Sequence, residues 1–331
     1  MMGQSAVAGR GEEWMRINGV FEGGGVKGIA LAGAILAAEQ LGFTFHQVAG
    51  TSSGAIIASL LAAGYTAEEI KQEIIKSPLG KLVRPSDWMK IKWVGPPIRL
   101  LLYKGLYSGN PLECWVRDLL DAKGIRTFKD LPKNKLRIVA SDISDGRLVV
   151  LPDDSPRYDI DPESFEIARA IRMSASIPYF FEPVIIRKAA KVPIYVVDGA
   201  VLSNFPLWLF DGLGKSAKKD TPSNMIPTVG FQLVGRNEQV PRRVNGPFSM
   251  LYALFATMME AHDERYIEDE NRFRTIKIPT LGIRTTQFEL TNEESMGLFD
   301  SGYKAGMKYF DKWSLSTYMK LHDQHVASLK V

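Results

Sequence analysis

Phe43-Thr44-Phe45-His46-Gln47-Val48-Ala49-Gly50-Thr51-Ser52-Ser53-Gly54-Ala55-Ile56-Ile57-Ala58-Ser59-Leu60-Leu61-Ala62-Ala63 decides how the chain is read. A short apolar run, Phe43 to Ala49, meets a five-residue turn and a longer apolar run, Ala55 to Ala63. Strand, tight turn and helix form the setting in which G-x-S-x-G becomes a nucleophile elbow, with Ser52 held above the sheet edge. Gly50 and Gly54 leave room for close backbone approach, where a side chain would clash. Ser52 then lies at a helix N-terminus, whose unpaired N–H groups and dipole favour developing negative charge. The plain alternative is a tight βα turn built from small residues.

Upstream, Arg16 to Phe21 reads as a strand and leads into Glu22-Gly23-Gly24-Gly25-Val26-Lys27-Gly28 and an apolar helix to about Leu41. Both helices are apolar nearly all round, as expected for helices packed inside a layered structure. The β-loop-α-β-loop-α order predicts a parallel sheet with right-handed crossovers. Three readings compete for the glycine loop. Gly23-x-Gly25-x-x-Gly28 matches a dinucleotide fingerprint, but the second strand ends at Ala49-Gly50, where a ribose-binding acid is expected. A P-loop fails because Ile29 follows Gly28. The third reading is an oxyanion hole, with the N–H groups of Gly24 and Gly25 aimed at a carbonyl oxygen gaining charge. Lys27 is either a surface charge or a draw for anionic lipid. Loops from successive strand ends meet at one sheet edge, which is where open α/β sheets place their sites.

Composition sets the frame. The chain has 331 residues, 45% hydrophobic and 24% charged, enough for one large α/β domain or two small ones. A net charge of +4 weakly favours anionic surfaces such as phospholipid headgroups, and no Lys/Arg block points to nucleic acid. The single cysteine, Cys114, excludes an intrachain disulfide framework and offers no metal-ligand spacing, so a cytoplasmic location is expected. Residues 1–15 lack a signal-peptide h-region and are expected to be a disordered leader. The longest apolar stretches, Ile29–Ala38 and Ala55–Ala63, fall short of a bilayer span. With no repeat, low-complexity tract or linker, residues 16–331 read as a single domain.

Further along, Thr66 to Lys76 has a capped helix start. Pro85 to Tyr107 interleaves Trp88, Trp93, Leu101, Leu102 and Tyr103 with Lys90, Lys92, Arg99 and Lys104, a pattern suiting a lipid interface, a lid or a core insertion. Pro111–Leu120 and Ile167–Met173 read as helices. Strands are expected at Leu136–Ala140, Arg147–Leu151, Ile194–Val197, Thr228–Val234 and Thr275–Pro279. A further helix is expected at Phe248–Ala261, where Met250, Phe255, Met258 and Met259 form either core or a pliable acyl-chain wall. Thr291-Asn292-Glu293-Glu294 is a capping box opening a helix toward Trp313.

Asp198 directly follows the Ile194–Val197 strand, and Gly199 lets the chain turn there. An ordinary turn aspartate is the alternative. A serine nucleophile needs a base, and the order Ser52, Asp198, His262 would suit a triad. His262 lies inside a helical stretch beside Asp263 and Glu264, and no histidine follows a strand-end loop. A two-residue arrangement is favoured: Asp198 takes the Ser52 proton and returns it to a leaving alcohol. Partial burial must raise its pKa for that work, and esters tolerate so weak a base better than amides.

Gly23-Gly24-Gly25-Val26-Lys27-Gly28, Gly50-Thr51-Ser52-Ser53-Gly54 and Asp198-Gly199-Ala200 resemble, in order and spacing, the three signatures of patatin-like phospholipases. Asn204-x-Pro206 and Ser174-Ala175-Ser176-Ile177-Pro178…Pro183 are similar to family patterns too. The resemblance covers Ile17 to Leu209. Ala200 departs from it only in standing where Gly is also common. It implies a three-layer α/β/α fold with a central, mostly parallel sheet and helices on both faces, its motif core at 17–209. Residues 222–331 would add strands and helices to it and shape acyl-chain selectivity. It implies a Ser52–Asp198 dyad and an oxyanion hole from Gly23, Gly24, Gly25 and Ser53. Lys27, Gly28, Gly50, Gly54, Gly199 and Asn204 would act in support. The implied activity is hydrolysis of phospholipid or other fatty acyl esters at a membrane surface, with no cofactor and no metal. The runner-up is a nucleotide-binding regulatory module built on the glycine loop.

Overall fold

The computed structural model of the chain describes residues 15–76, 100–187, 192–211, 225–235, 244–246, 271–283 and 290–328, with isolated positions between 249 and 287. In order, β1 (Met15–Phe21) leads through a 3-10 turn (Gly25–Gly28) into α1 (Ile29–Gln40), β2 (Phe43–Thr51), α2 (Ser53–Ala62) and α3 (Ala67–Lys76). Next come β3 (Gly105–Tyr107), α4 (Asn110–Ala122), β4 (Leu136–Asp142), β5 (Arg147–Leu151) and α5 (Ile167–Ser174). Then follow β6 (Tyr179–Phe181), β7 (Val184–Ile186), β8 (Ile194–Asp198), β9 (Thr228–Val234) and β10 (Thr275–Pro279). Two helices close the chain, α6 (Asn292–Asp311) and α7 (Leu315–Ser328).

This is an α/β fold around a mixed, mostly parallel sheet, ordered β10-β9-β1-β2-β4-β8-β7 with β5 also paired to β4. The pairs β10–β9, β9–β1, β1–β2 and β2–β4 are parallel, and those among β4, β5, β8 and β7 are antiparallel. The chain thus moves outward from β1 to β2 and β4, then returns to β1's other side as β9. Phe21 pairs with Gly50 across β1 and β2, so the loops after both strands emerge side by side at this reversal.

A detail of β4 brings the remote part of the chain to the same place. Over Ile138–Asp142 one edge of β4 is taken by β5. The other edge is shared: β2 occupies Leu136–Val139 and runs parallel, while β8 occupies Ala140–Asp142 and runs antiparallel. The two strands therefore meet head to head, Thr51 opposite Val139 and Asp198 opposite Ala140.

The all-round apolar character of α1 follows from its position. Nine of its residues are buried, because one side meets the sheet and another meets α6. The two helices touch through glycines: a methyl at Gly302 would stand 1.8 Å from the Ala30 carbonyl oxygen, and one at Gly33 1.9 Å from that of Phe299. Phe21, Phe45 and Phe231 cluster across β2, β1 and β9 with ring centroids 4.7–6.0 Å apart. Val20 packs separately with Phe205, Leu207 and Phe210 of the segment after Asp198. The expected helix caps are present at Thr66 with Glu69 and at Thr291 with Glu294. Among the described residues, no helix is long and apolar enough to cross a membrane.

The glycine contact between α1 and α6 generates a paired prediction. Gly302→Ala forces the helices apart and costs about 3 kcal/mol. Gly297→Ala, on the same helix, meets only a Leu281 methyl at 3.5 Å and should stabilise by about 0.5–1 kcal/mol through helix propensity. Urea denaturation of both variants separates close packing from propensity; equal effects would refute the packing account.

Candidate active site

The turn between β2 and α2 is as tight as its glycines imply. A methyl on Gly54 would come 2.2 Å from the Phe21 carbonyl oxygen, and one on Gly50 2.4 Å from the Gly54 backbone. Ser52, between them, takes φ 54° and ψ −123°, a conformation that costs a non-glycine residue about 1–3 kcal/mol. Hydrogen bonds hold it there. Its N–H donates to Ser174 Oγ at 2.9 Å, and Ser174 Oγ donates to the Val139 carbonyl on β4. Its carbonyl accepts from Ala55 at the start of α2.

Asp198 is 1% exposed at the head of β8, and its Oδ2 accepts the Ser52 hydroxyl at 2.7 Å. Its Oδ1 accepts from the Ala200 N–H at 2.9 Å, and its own N–H donates to the Ser176 carbonyl. Burial pushes the carboxyl up to about 7, against the lowering effect of the bonds from Ala200 and Ser52. Gly199 is required next: a methyl there would stand 2.3 Å from the Val139 carbonyl oxygen.

The glycine loop runs beside Ser52, a methyl on Gly23 falling 3.2 Å from the Ser52 Cβ. The Gly23 N–H donates to the Asn204 carbonyl at 3.2 Å, and the Gly24 N–H to Ser53 Oγ at 2.9 Å. Those two bonds brace the loop against its neighbours. The N–H groups of Gly25, at φ 59°, and of Ser53 make no hydrogen bond among the described residues. Both open a helical turn, where the first N–H groups have no internal acceptor. Gly28 packs against Ser53 and Ile57, and the stem of half-buried Lys27 lies over Gly24.

Four residues of this assembly were not singled out as site residues from the sequence: Glu22, Ser174, Ser176 and Arg172. Buried Glu22 ends β1 and ties three segments together: Oε1 accepts from Asn204 Nδ2 at 3.3 Å and Oε2 from the Leu233 N–H of β9. Asn204 Nδ2 also reaches the Gly23 carbonyl, so Asn204 clamps the loop as well as Glu22. Ser174, the last residue of α5, and Ser176, in the turn after it, secure the backbones of Ser52 and Asp198. Their signal was the Ser174–Pro178 run, which identified the turn without its partners. Arg172, 3% exposed, reaches Ser176 Oγ and the Glu182 carbonyl and so pins that turn.

His262, Phe255, Met258, Met259 and Trp88 with its basic neighbours to residue 99 lie outside the described residues. Of that last segment, Leu101, Leu102 and Tyr103 are described and exposed, as is Met250 farther along the chain. Among the described residues, no group of three or more His, Cys, Asp or Glu side chains is placed to hold a metal ion.

Two predictions follow from the strain and the buried carboxyl. Ser52→Gly and Ser52→Ala both lose the hydroxyl, but only Gly relieves the backbone; Ser52→Gly should be the more stable by about 1 kcal/mol in urea. Asp198 binds a proton in the folded chain between its ordinary value of 3.8 and about 7, where the unfolded chain has released it. Its contribution to stability is full below the unfolded value and is lost as pH rises through 7, by up to about 4 kcal/mol. The melting temperature of Asp198→Asn should therefore pull ahead of wild type from pH 5 to pH 8. A gap independent of pH would show that Asp198 is not held protonated.

The patatin-like phospholipase family matches residues 19–211, more than half of the chain and every site contact above except that of Glu22 to Leu233. The chain is 43% identical over 310 residues to the uncharacterised protein YqhO of Bacillus subtilis, covering 91% of this chain and all of that one. It is 24% identical over 310 residues to protein R571 of Acanthamoeba polyphaga mimivirus, covering 87% and 91%. Among solved structures, VipD of Legionella pneumophila aligns with a TM-score of 0.48 at 18% identity, over 89% of this chain and 66% of that one. ExoU of Pseudomonas aeruginosa, in complex with SpcU, aligns with a TM-score of 0.48 at 18% identity, over 94% and 59%. The chain thus spans roughly two thirds or less of those two proteins' lengths. On the match across its site-bearing half, the chain belongs to the patatin-like phospholipase family.

Proposed function

We propose that the chain is a serine lipid acyl hydrolase that cleaves the fatty acyl ester of a phospholipid or related lipid. The observation that carries this reading is the 2.7 Å bond from Ser52 Oγ to a buried Asp198 whose carboxyl is raised to about 7. A carboxylate at its ordinary pKa is a poor base for a hydroxyl; one poised near neutrality both accepts the proton and returns it at the same pH. The strained elbow presents Oγ at the mouth of the loop pair, the arrangement a nucleophile requires.

In the acylation step Ser52 Oγ attacks the ester carbonyl carbon as its proton passes to Asp198 Oδ2. The N–H groups of Gly25 and Ser53 receive the charge building on the carbonyl oxygen, each at the start of a helical turn. The intermediate collapses, the C–O bond to the alcohol breaks, and Asp198 gives its proton to the departing alkoxide. Water then attacks acyl-Ser52 with Asp198 again as base, releasing the fatty acid and restoring the hydroxyl. An alcohol in place of that water would give transacylation by the same steps. The exposed Leu101, Leu102 and Tyr103 and the net positive charge favour work at a phospholipid surface, and the lone cysteine favours the cytoplasm. A dinucleotide bound at the glycine loop is disfavoured, since its phosphates would need the Gly23 and Gly24 N–H groups already in use.

Intact-mass analysis after exposure to a fluorophosphonate tests the nucleophile. Wild type should gain a single adduct that Ser52→Ala loses, and kcat/KM on a lipid ester should rise about tenfold per pH unit below 7 and level above it. No adduct on wild type, under conditions that label a serine esterase, would overturn the reading.

A further inference from the structure

A cavity lies at the other end of the sheet from Ser52. The reactive loops leave the C-terminal ends of β1 and β2, whereas this cavity, of about 400 Å³, opens where β10 begins, between α6 and α7. Its floor is aromatic, formed by Phe273, Tyr309 and Trp313. The Tyr309 hydroxyl donates to the Phe273 carbonyl at 3.0 Å, which fixes that wall. Burial keeps the Tyr309 phenol raised and therefore neutral.

The charged part of the lining is basic. Arg272, Lys277, Lys308 and Lys312 line the opening, all four are exposed, and among the described residues no carboxylate lines it. None of the four is in an ion pair among the described residues. Three separate elements supply them: the turn before β10, β10 itself and the end of α6. A shared field of four cations over an apolar floor attracts an anion and offers its body an apolar seat. The volume is near the small end of ligand pockets, room for one chain and not for a diacyl lipid.

We infer that this cavity binds a single-chain acyl anion, a free fatty acid, with its carboxylate at the Lys308/Lys312 rim and its chain against the aromatic floor. A phosphate group alone would find the cations but leave the floor empty. A neutral lipid would find the floor but gain nothing from the rim. Fatty acid is also what the proposed reaction releases, but binding here uses no atom of the Ser52 site, so the inference stands apart from that reading.

The test is photolabelling of the full chain with a diazirine-bearing fatty acid, followed by peptide mapping. Adducts are expected within residues 305–321, competed by oleate and unaffected by inorganic phosphate. They should be equal in wild type and Ser52→Ala, and reduced at least tenfold in Lys308→Glu/Lys312→Glu. Those two lysines are exposed and distant from the dyad, so ester hydrolysis by the double variant should match wild type. Labelling confined to peptides around Ser52, equal labelling of 305–321 by the matching diazirine alcohol, or full labelling of the double variant would each overturn the inference. Loss of hydrolysis in Ser52→Ala with unchanged labelling at 305–321 supports both readings separately.

Discussion

The shared edge of β4 is the constraint on which the site depends. A strand has two edges, and over Ile138–Asp142 one of them belongs to β5. What remains must serve both β2 and β8, and they can share it only by arriving from opposite directions and stopping. Their meeting point removes two backbone chains from the ladder at once and leaves a gap where no further strand fits. The residues that leave the strands there are Ser52 and Asp198. Their contact across a sequence separation of 146 residues is thus a consequence of sheet register and needs no special loop to create it. The same gap explains why Gly199 cannot carry a side chain: it turns directly over Val139.

Local strain and burial at that gap work in the same direction. The Ser52 backbone is held out of its preferred conformation, and the Asp198 carboxyl is held out of water; both oppose folding at neutral pH. Both are compensated by neighbours whose atoms have no part in bond making. Ser174 answers the Ser52 N–H and passes the load to Val139, while the Ser176 carbonyl answers the Asp198 N–H. The end of α5 and the turn after it therefore fix the distance between Ser52 and Asp198. Arg172 in turn fixes that turn. Its guanidinium is almost wholly buried and its pKa falls to about 10 through desolvation and the nearby Arg169, a cost tolerable only where geometry matters.

Much of this was legible in the sequence because glycine and proline patterns record backbone constraints locally. The elbow, the glycine loop and the Asp198-Gly199 corner each state their own conformation within six residues. The α/β alternation stated the parallel part of the sheet, and the all-round apolar helices stated that they would be covered twice. Glu22 and Ser174 were not legible as site residues for the opposite reason. Each is an ordinary polar residue whose meaning lies in a partner 122 to 211 residues away. The strands Gly105–Tyr107, Tyr179–Phe181 and Val184–Ile186, three residues each, are too short to show alternation. The glycine loop shows a finer limit. Three glycines announce close backbone approach, but only the contacts reveal that the Gly23 and Gly24 N–H groups bond to Asn204 and Ser53.

Glu22 carries the argument from the loops to the rest of the chain. Its carboxylate joins the end of β1 to Asn204, which follows Asp198, and to Leu233 near the end of β9. β9 is held on its far side by β10, and β10 by α6, which locks onto α1 through Gly33 and Gly302. α1 in turn begins at the glycine loop. The closed circuit runs from the loop through Glu22, β9, β10, α6 and α1 back to the loop, so the glycine loop is held from both ends. A change in the last hundred residues can therefore reach the site without touching it, by shifting the helix that follows the Gly25–Gly28 turn. That is the physical sense in which the C-terminal third belongs to the site, although the three motifs all lie before it.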